Sequence, residues 1–348
     1  MKSTRILMTV LLLLLGCLPF DTSFAAGVVT VKVGLANTSA DVGFFIARDN
    51  GYFRQEGIDV QLIPFSSAAL MIAPLGTGEI DVGSGTASAG LYNAVLRGVK
   101  LRVVADKGSM QPGYDYSTLL VRKDLVDSGR FKSLADLKGM TVAVAAKGAG
   151  SESALNEALK KGGLTMHDVN VVYLGFPEDL PALENKKIDA CITDEPTLTQ
   201  AIDAGVAVRA SKSPIYPGQQ NAVVLYSEEF ASHRDVAERF MIAYVRALRF
   251  YNGALADGKL AGPNSDRVVN ILVKDTKLKN AALYRRITPN GANPDGSLQE
   301  AAMKNDLAYF KAQGYVTGKI GVSDVVDDSF VQAAVAKLGP YKPVVASK

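Results

Sequence analysis

The residues with the clearest chemical potential sit in the stretch TVAVAAKGAGSESALNEALKKGG, residues 141–163. Alternating small apolar residues give way to Lys147, Gly148, Gly150 and Ser151, and a helical pattern follows. A strand that turns through glycine and serine into a helix leaves N–H groups free at the helix start, and such groups hold anions. The spacing of Gly148, Gly150 and Ser153 approaches a dinucleotide fingerprint. Serine stands where the third glycine belongs, however, and no GxxxxGK[ST] loop occurs. The expected occupant is therefore the acidic end of a small solute, with Lys147 either a cationic donor or a solvated surface lysine. Metal chemistry is not expected: His167 and His233 are the only histidines, and neither HExxH nor CxxC is present. No cofactor is expected either.

An internal repeat shows which elements would position these groups. Residues 57–105 and 166–210 run in step. Each opens on Asp-Val (Asp59 and Val60; Asp168 and Val169) and passes a phenylalanine (Phe65; Phe176) into a short amphipathic helix. Each then enters a strand through Ile-Asp (Ile80 and Asp81; Ile188 and Asp189) and closes on Gly-Val (Gly98 and Val99; Gly205 and Val206). The preceding segments, 28–53 and 141–163, also correspond, with strand alternation at Val29, Val31 and Val33 and at Val142 and Val144. Two β-α-β-α-β-α-β series imply an α/β protein of two lobes, each a mostly parallel sheet flanked by helices. Residues 26–117 and 224–348 are assigned to the first lobe and 118–223 to the second. Segments 115–124 and 221–230 read as isolated strands crossing between them as a hinge. Beyond 230 the pattern is helical, with Val236, Phe240, Tyr244 and Leu248 forming one stripe that faces a core.

In open α/β sheets ligands bind beyond the carboxyl ends of the strands. In the first lobe those ends offer Asn37, Thr38, Ser39 and Asp41, then Ser66 and Ser67, then Ser84 and Thr86. In the second they offer Lys147, Gly150 and Ser151, then 177–179, then Thr193, Asp194 and Glu195. The serines and threonines either hold an anion with hydroxyl and N–H groups or merely cap their helices. Asp194 and Glu195 either pair with an ammonium or supply first-turn acid to a helix, and Asp41 carries the same ambiguity. Tyr114, Tyr116 and Tyr216, near the crossings, either stack on an aromatic ligand or pack.

The 348 residues carry a formal charge of +3 with no basic run, so nucleic acid is not an expected partner. Lys2 and Arg5 precede a short apolar stretch, 6–18, and small residues follow at Ser23, Ala25 and Ala26. This is the pattern of a secretory signal covering 1–25, and a periplasmic location follows from it. Lipidation at Cys17, within LLGC, stays open as the alternative. Cleavage after Ala25 would leave Cys191 as a lone thiol, read from the apolar run IDACIT as buried and inert.

The stretches GYFRQEGIDVQLIPF, LGTGEIDVGSGTAS, LADLKGMTVAVAAKGAGSESAL and IDACITDEP, with the final GYVTGKIGVSDVVDDSFVQAAVAKLG, are together similar to one family. They resemble the periplasmic substrate-binding proteins of nitrate/sulfonate/taurine-type ABC importers, which are related in fold to thiamine-pyrimidine synthesis proteins. The resemblance implies a two-lobe, type II-like periplasmic-binding-protein fold, closing on a hinge and handing a small-molecule solute to the transmembrane subunits of a permease. A monomeric receptor for a small organic anion, sulfonate or carboxylate, is the expectation. A receptor for a pyrimidine-like heterocycle is the alternative. So is a secreted enzyme on the same fold, since a desulfinating relative uses a cysteine nucleophile.

Overall fold

The computed structural model describes residues 28–343, so the segment 1–25 read as a secretory signal, and Cys17 within it, lie outside the described residues. Strands β1 (Val29–Leu35), β2 (Ile58–Pro64), β3 (Val82–Gly85), β4 (Leu101–Ser109) and β10 (Gln220–Ser227) build one sheet. Strands β5 (Ser117–Arg122), β6 (Thr141–Val144), β7 (Asn170–Tyr173), β8 (Ala190–Asp194) and β9 (Ala207–Arg209) build the other. Their orders, β2-β1-β3-β10-β4 and β7-β6-β8-β5-β9, match strand for strand. The repeat read from the Asp-Val, Ile-Asp and Gly-Val steps is thus a repeat of topology. In each sheet the first strand pairs in parallel with the second and third, and the fourth position is antiparallel to both neighbours.

That fourth position corrects one expectation. The crossing segments are not isolated strands: β5 and β10 are each inserted into the sheet of the lobe the chain is entering. A lone extended segment would leave a row of backbone donors and acceptors without partners, and insertion between two strands satisfies both edges. The chain changes lobes in the short segments on either side, and these bond to each other. The N–H of Met110 donates to the carbonyl of Gln219 at 2.9 Å, and that of Gly218 to the carbonyl of Met110 at 3.0 Å.

Each sheet is covered on both faces. On one face of the first lobe, Val31, Val33 and Val224 pack under the helices Val42–Asp49 and Arg234–Asn252. Phe240, Tyr244 and Leu248 of the long helix are buried there as the stripe requires, and the Phe53 and Phe240 ring centroids lie 4.7 Å apart. Gly43 permits this close approach, because a Cβ there would meet the Tyr244 ring at 2.7 Å. On the other face lie the helices Ile72–Thr77, Ala89–Leu96 and Glu300–Ala312. The second lobe repeats the plan, with the helix Gly150–Lys161 on one face and Phe176–Glu184 and Thr197–Asp203 on the other. The loop after β6 and the start of the helix after β3 meet where Gly148 and Ala89 bond.

Candidate functional site

On the first-lobe wall, the loop after β1 is held from beneath. Asp41 is wholly buried, and its Oδ1 accepts from Lys107 Nζ at 2.9 Å and from the Ser84 hydroxyl. Its Oδ2 accepts from the N–H of Thr38 at 3.0 Å. Asp41 and Ser84, expected to face the solute, instead form a buried clamp. Both carboxylate oxygens are engaged inside the lobe. The clamp fixes what does face outward: Asn37 in the left-handed region at φ 54°, exposed Thr38, and half-buried Ser39 at the start of a short 3-10 turn. Thr86, after β3, is exposed and lines a pocket of about 260 Å³ with Ala68, Ala69, Ile72, Ser88 and Arg97. Ser66 and Ser67 are exposed at the end of β2, and Ser67 makes no side-chain cap bond.

The glycine-rich loop of the second lobe is largely satisfied by its own chain. The Ser151 hydroxyl accepts from the N–H of Ala145 at 3.1 Å, and Glu152 Oε2 accepts from the N–H of Gly148 at 2.7 Å. A carboxylate does occupy this anion-binding turn, but it belongs to Glu152, which is 1% exposed. The carbonyl of Gly150 accepts from Gln219 Nε2 at 2.8 Å. Lys147 remains exposed, its ammonium 4.9 Å from the centroid of the Tyr315 ring.

The acids on this wall divide. Glu195 behaves as a cap: its Oε2 accepts from the N–H of Thr199 at 3.0 Å and its Oε1 from the Thr199 hydroxyl at 2.8 Å and the N–H of Thr288 at 3.2 Å. Asp194, beside Ser117 and half-buried, has no ion-pair partner among the described residues. Burial, with the Glu195 charge behind it, pushes its carboxyl up to about 7. Asp179, in the predicted 177–179 loop, lies on the inner side of the helix Phe176–Glu184, 1% exposed, with neither oxygen hydrogen-bonded. Burial pushes it up to about 7 as well. Tyr216 is committed to lobe one, donating to the carbonyl of Ala302 at 3.1 Å, while Tyr116 is buried and Tyr114 half-buried. Cys191 is fully buried, and burial holds its thiol well above the usual range.

The two walls meet. The N–H of Ala89, opening the helix after β3, donates to the carbonyl of Gly148 at 3.0 Å, and the Tyr315 hydroxyl donates to Glu152 Oε1 at 3.0 Å. Lys107, Ser88, Glu152 and Tyr315 were missed by the sequence reading. For Lys107 the signal was present: a lysine inside the apolar strand run LRVVADKGS is one that needs a buried partner. A larger, open cavity of about 600 Å³ lies elsewhere, beside Tyr52, Arg246, Arg249 and Phe250. It is remote from the strand ends, and Arg249 is spent on Asp295 at 2.7 Å.

Residues 39–253 match a protein family described as NMT1/THI5 like. A protein of Brachyspira hyodysenteriae described as an ABC transporter periplasmic binding protein is 28% identical over 256 residues, 70% of this chain and 72% of that one. The alkanesulfonate-binding protein SsuA of Xanthomonas axonopodis pv. citri, bound to MOPS, has a TM-score of 0.65 at 20% identity, covering 87% of this chain and 99% of that one. The desulfurization enzyme DSZB has a TM-score of 0.59 at 14% identity, covering 89% and 99%. These structural likenesses establish the two-lobe fold.

Proposed function

The chain belongs to the NMT1/THI5-like family, and from that premise we propose that it is the extracytoplasmic solute receptor of an ABC importer. It captures a small organic anion between its lobes and delivers it to the permease. The observation that carries the reading is the meeting of strand-end loops across the lobes, the loop after β6 against the start of the helix after β3, seen in the Ala89 to Gly148 bond. Solute enclosed there would bridge loops built to the same plan on both sides. Exposed Thr38 and Thr86, half-buried Ser39 and the free ammonium of Lys147 supply neutral and cationic donors for a carboxylate or sulfonate. Asp41 does not oppose an anion, because Lys107 neutralises it.

A second reading, a pyrimidine-like or amine-bearing solute, is favoured by Asp194, an acid on the opposite wall with no ion-pair partner among the described residues. An enzyme acting through Cys191 is disfavoured, since a nucleophilic thiol needs exposure and a lowered pKa. Export through the segment 1–25 and a monomeric state belong to the same proposal.

Thermal unfolding against a panel of sulfonates, aromatic carboxylates, nitrate, pyrimidines and amines tests it. A solute at about 100 times its dissociation constant stabilises by roughly 2.7 kcal/mol. Shifts from anions alone support the first reading, with loss expected in Thr86→Val and Lys147→Ala. Shifts from amines or heterocycles alone, lost in Asp194→Asn, support the second. Turnover of any panel member would overturn both.

A further inference from the structure

We propose that closing the two lobes takes up a proton at Asp306, so that the closed receptor is favoured in mildly acidic medium. The proposal rests on the two-lobe receptor reading and adds a regulation to it. Asp306 lies on the helix Glu300–Ala312 of lobe one and is 1% exposed. Its Oδ1 accepts from the hydroxyl of Ser153, in the first turns of the lobe-two helix Gly150–Lys161, at 2.6 Å. The other lobe therefore supplies part of what covers it. The next residue toward the glycine-rich loop, Glu152, receives Tyr315 of lobe one, so the same two segments meet twice.

Burial, with the Glu157 charge behind it, favours a neutral carboxyl and outweighs the donors Ser153, Tyr216 and Gln219, which favour the charged one. Asp306 Oδ2 has no hydrogen-bond partner, and neither do the hydroxyls of Tyr92 and Tyr309. The groups facing it are Tyr92 from the helix Ala89–Leu96, Tyr216 and Gln219 from the returning crossing, and Glu157 from the lobe-two helix. Glu157 is the charged member of that set; it is paired with exposed Lys160 at 2.8 Å, and Asp306 itself makes no ion pair among the described residues. Burial accordingly pushes the Asp306 carboxyl up to about 7 in the closed form. With the lobes apart, Ser153 and the lobe-two helix withdraw and the carboxyl returns toward about 4.

The sign follows from linkage. A carboxyl whose closed-state pKa is raised binds a proton on closing, so closure is fully favoured below the open-state value and loses ground as pH rises through the closed-state value. Between about 4 and about 7 the closed-to-open ratio falls by up to ~10-fold per pH unit for one proton.

Small-angle X-ray scattering of the full chain without added solute, from pH 5 to 8.5, reads the ratio as the radius of gyration. The expected result is a compact form at pH 5 that expands with a midpoint near neutrality. Asp306→Asn, neutral throughout, should stay compact to pH 8.5. Ser153→Ala, which deprives the ionised carboxyl of its donor in the closed form, should keep the compact form at pH 5 and expand more fully than the unaltered chain by pH 8.5. That second variant keeps the test open if Asp306→Asn fails to fold. A radius unchanged across the range, or an Asp306→Asn chain that titrates like the unaltered one, would overturn the proposal. The solute panel separates the two claims, since a chain compact at every pH yet stabilised by solutes is still a receptor without this switch.

Discussion

At the residue scale, the clamp of Asp41, Ser84 and Lys107 shows how a charged group near a cleft can be structural. Lys107 and Asp41 are 4% and 0% exposed, so removing one partner strands the other in a medium that cannot solvate it. Lys107→Met should cost about 3–5 kcal/mol, the range for breaking one side of a buried pair. Asp41→Leu combined with Lys107→Met should recover much of that loss, as urea unfolding of the two variants would show. Glu195 is the opposite case. Its bonds to Thr199 make it a helix cap, so Glu195→Ala should cost roughly 1 kcal/mol. The same variant should leave every solute-induced shift in the thermal panel intact. A lost shift would return Glu195 to the ligand-binding set.

At the element scale, the glycine-rich loop is held by the carboxylate four residues on. Glu152 takes the Gly148 N–H and also receives Tyr173 and Tyr315, at 2.9 and 3.0 Å. Glu152→Gln weakens these charge-assisted bonds, and amide exchange should rise across 145–151 while the far end of the helix Gly150–Lys161 keeps its protection. The sequence made the elements themselves readable, because they follow from local periodicity and from a repeat written twice. Val142 and Val144 alternate, and Val236, Phe240, Tyr244 and Leu248 recur at helical spacing. The membership of β5 and β10 was not readable in this way. A strand flanked by polar residues looks the same alone or inserted, and its partners are distant in sequence. The site was legible as a set of loops but not as a set of contacts. Ser151 turns back on Ala145, and Lys107 is brought under Asp41 from 66 residues away, an effect of packing that no local pattern carries.

At the scale of the whole molecule, the buried acids set a common direction. Asp106 is pushed up to about 6, and Asp179, Asp194 and Asp306 up to about 7, in each case first by burial. Each raised carboxyl contributes stability that is present below the unfolded value near 4 and is lost as pH rises through the folded value. The unfolding midpoint should therefore be higher near pH 5.5 than at pH 8, by several degrees if the four act together. Asp179→Asn should narrow that difference, since its carboxyl has no hydrogen bond to lose and its charge is what burial penalises. Midpoints that are flat or rising across this interval would show that the four acids are solvated more fully than their burial indicates.

The exchange of antiparallel strands bears on the order in which the chain is made. All the strands of the second sheet, β5 to β9, lie within 117–209, and the segments bounding them are joined where Met110 meets Gln219. The first sheet has a vacancy between β3 and β4 until β10, ending at Ser227, arrives. A chain emerging from its amino end therefore has a complete second sheet while the first still lacks the strand at its fourth position. The part translated first is the part finished last. Until Ser227 has emerged, the growing chain accordingly carries a first sheet with an open slot between β3 and β4 beside a second sheet that is already closed.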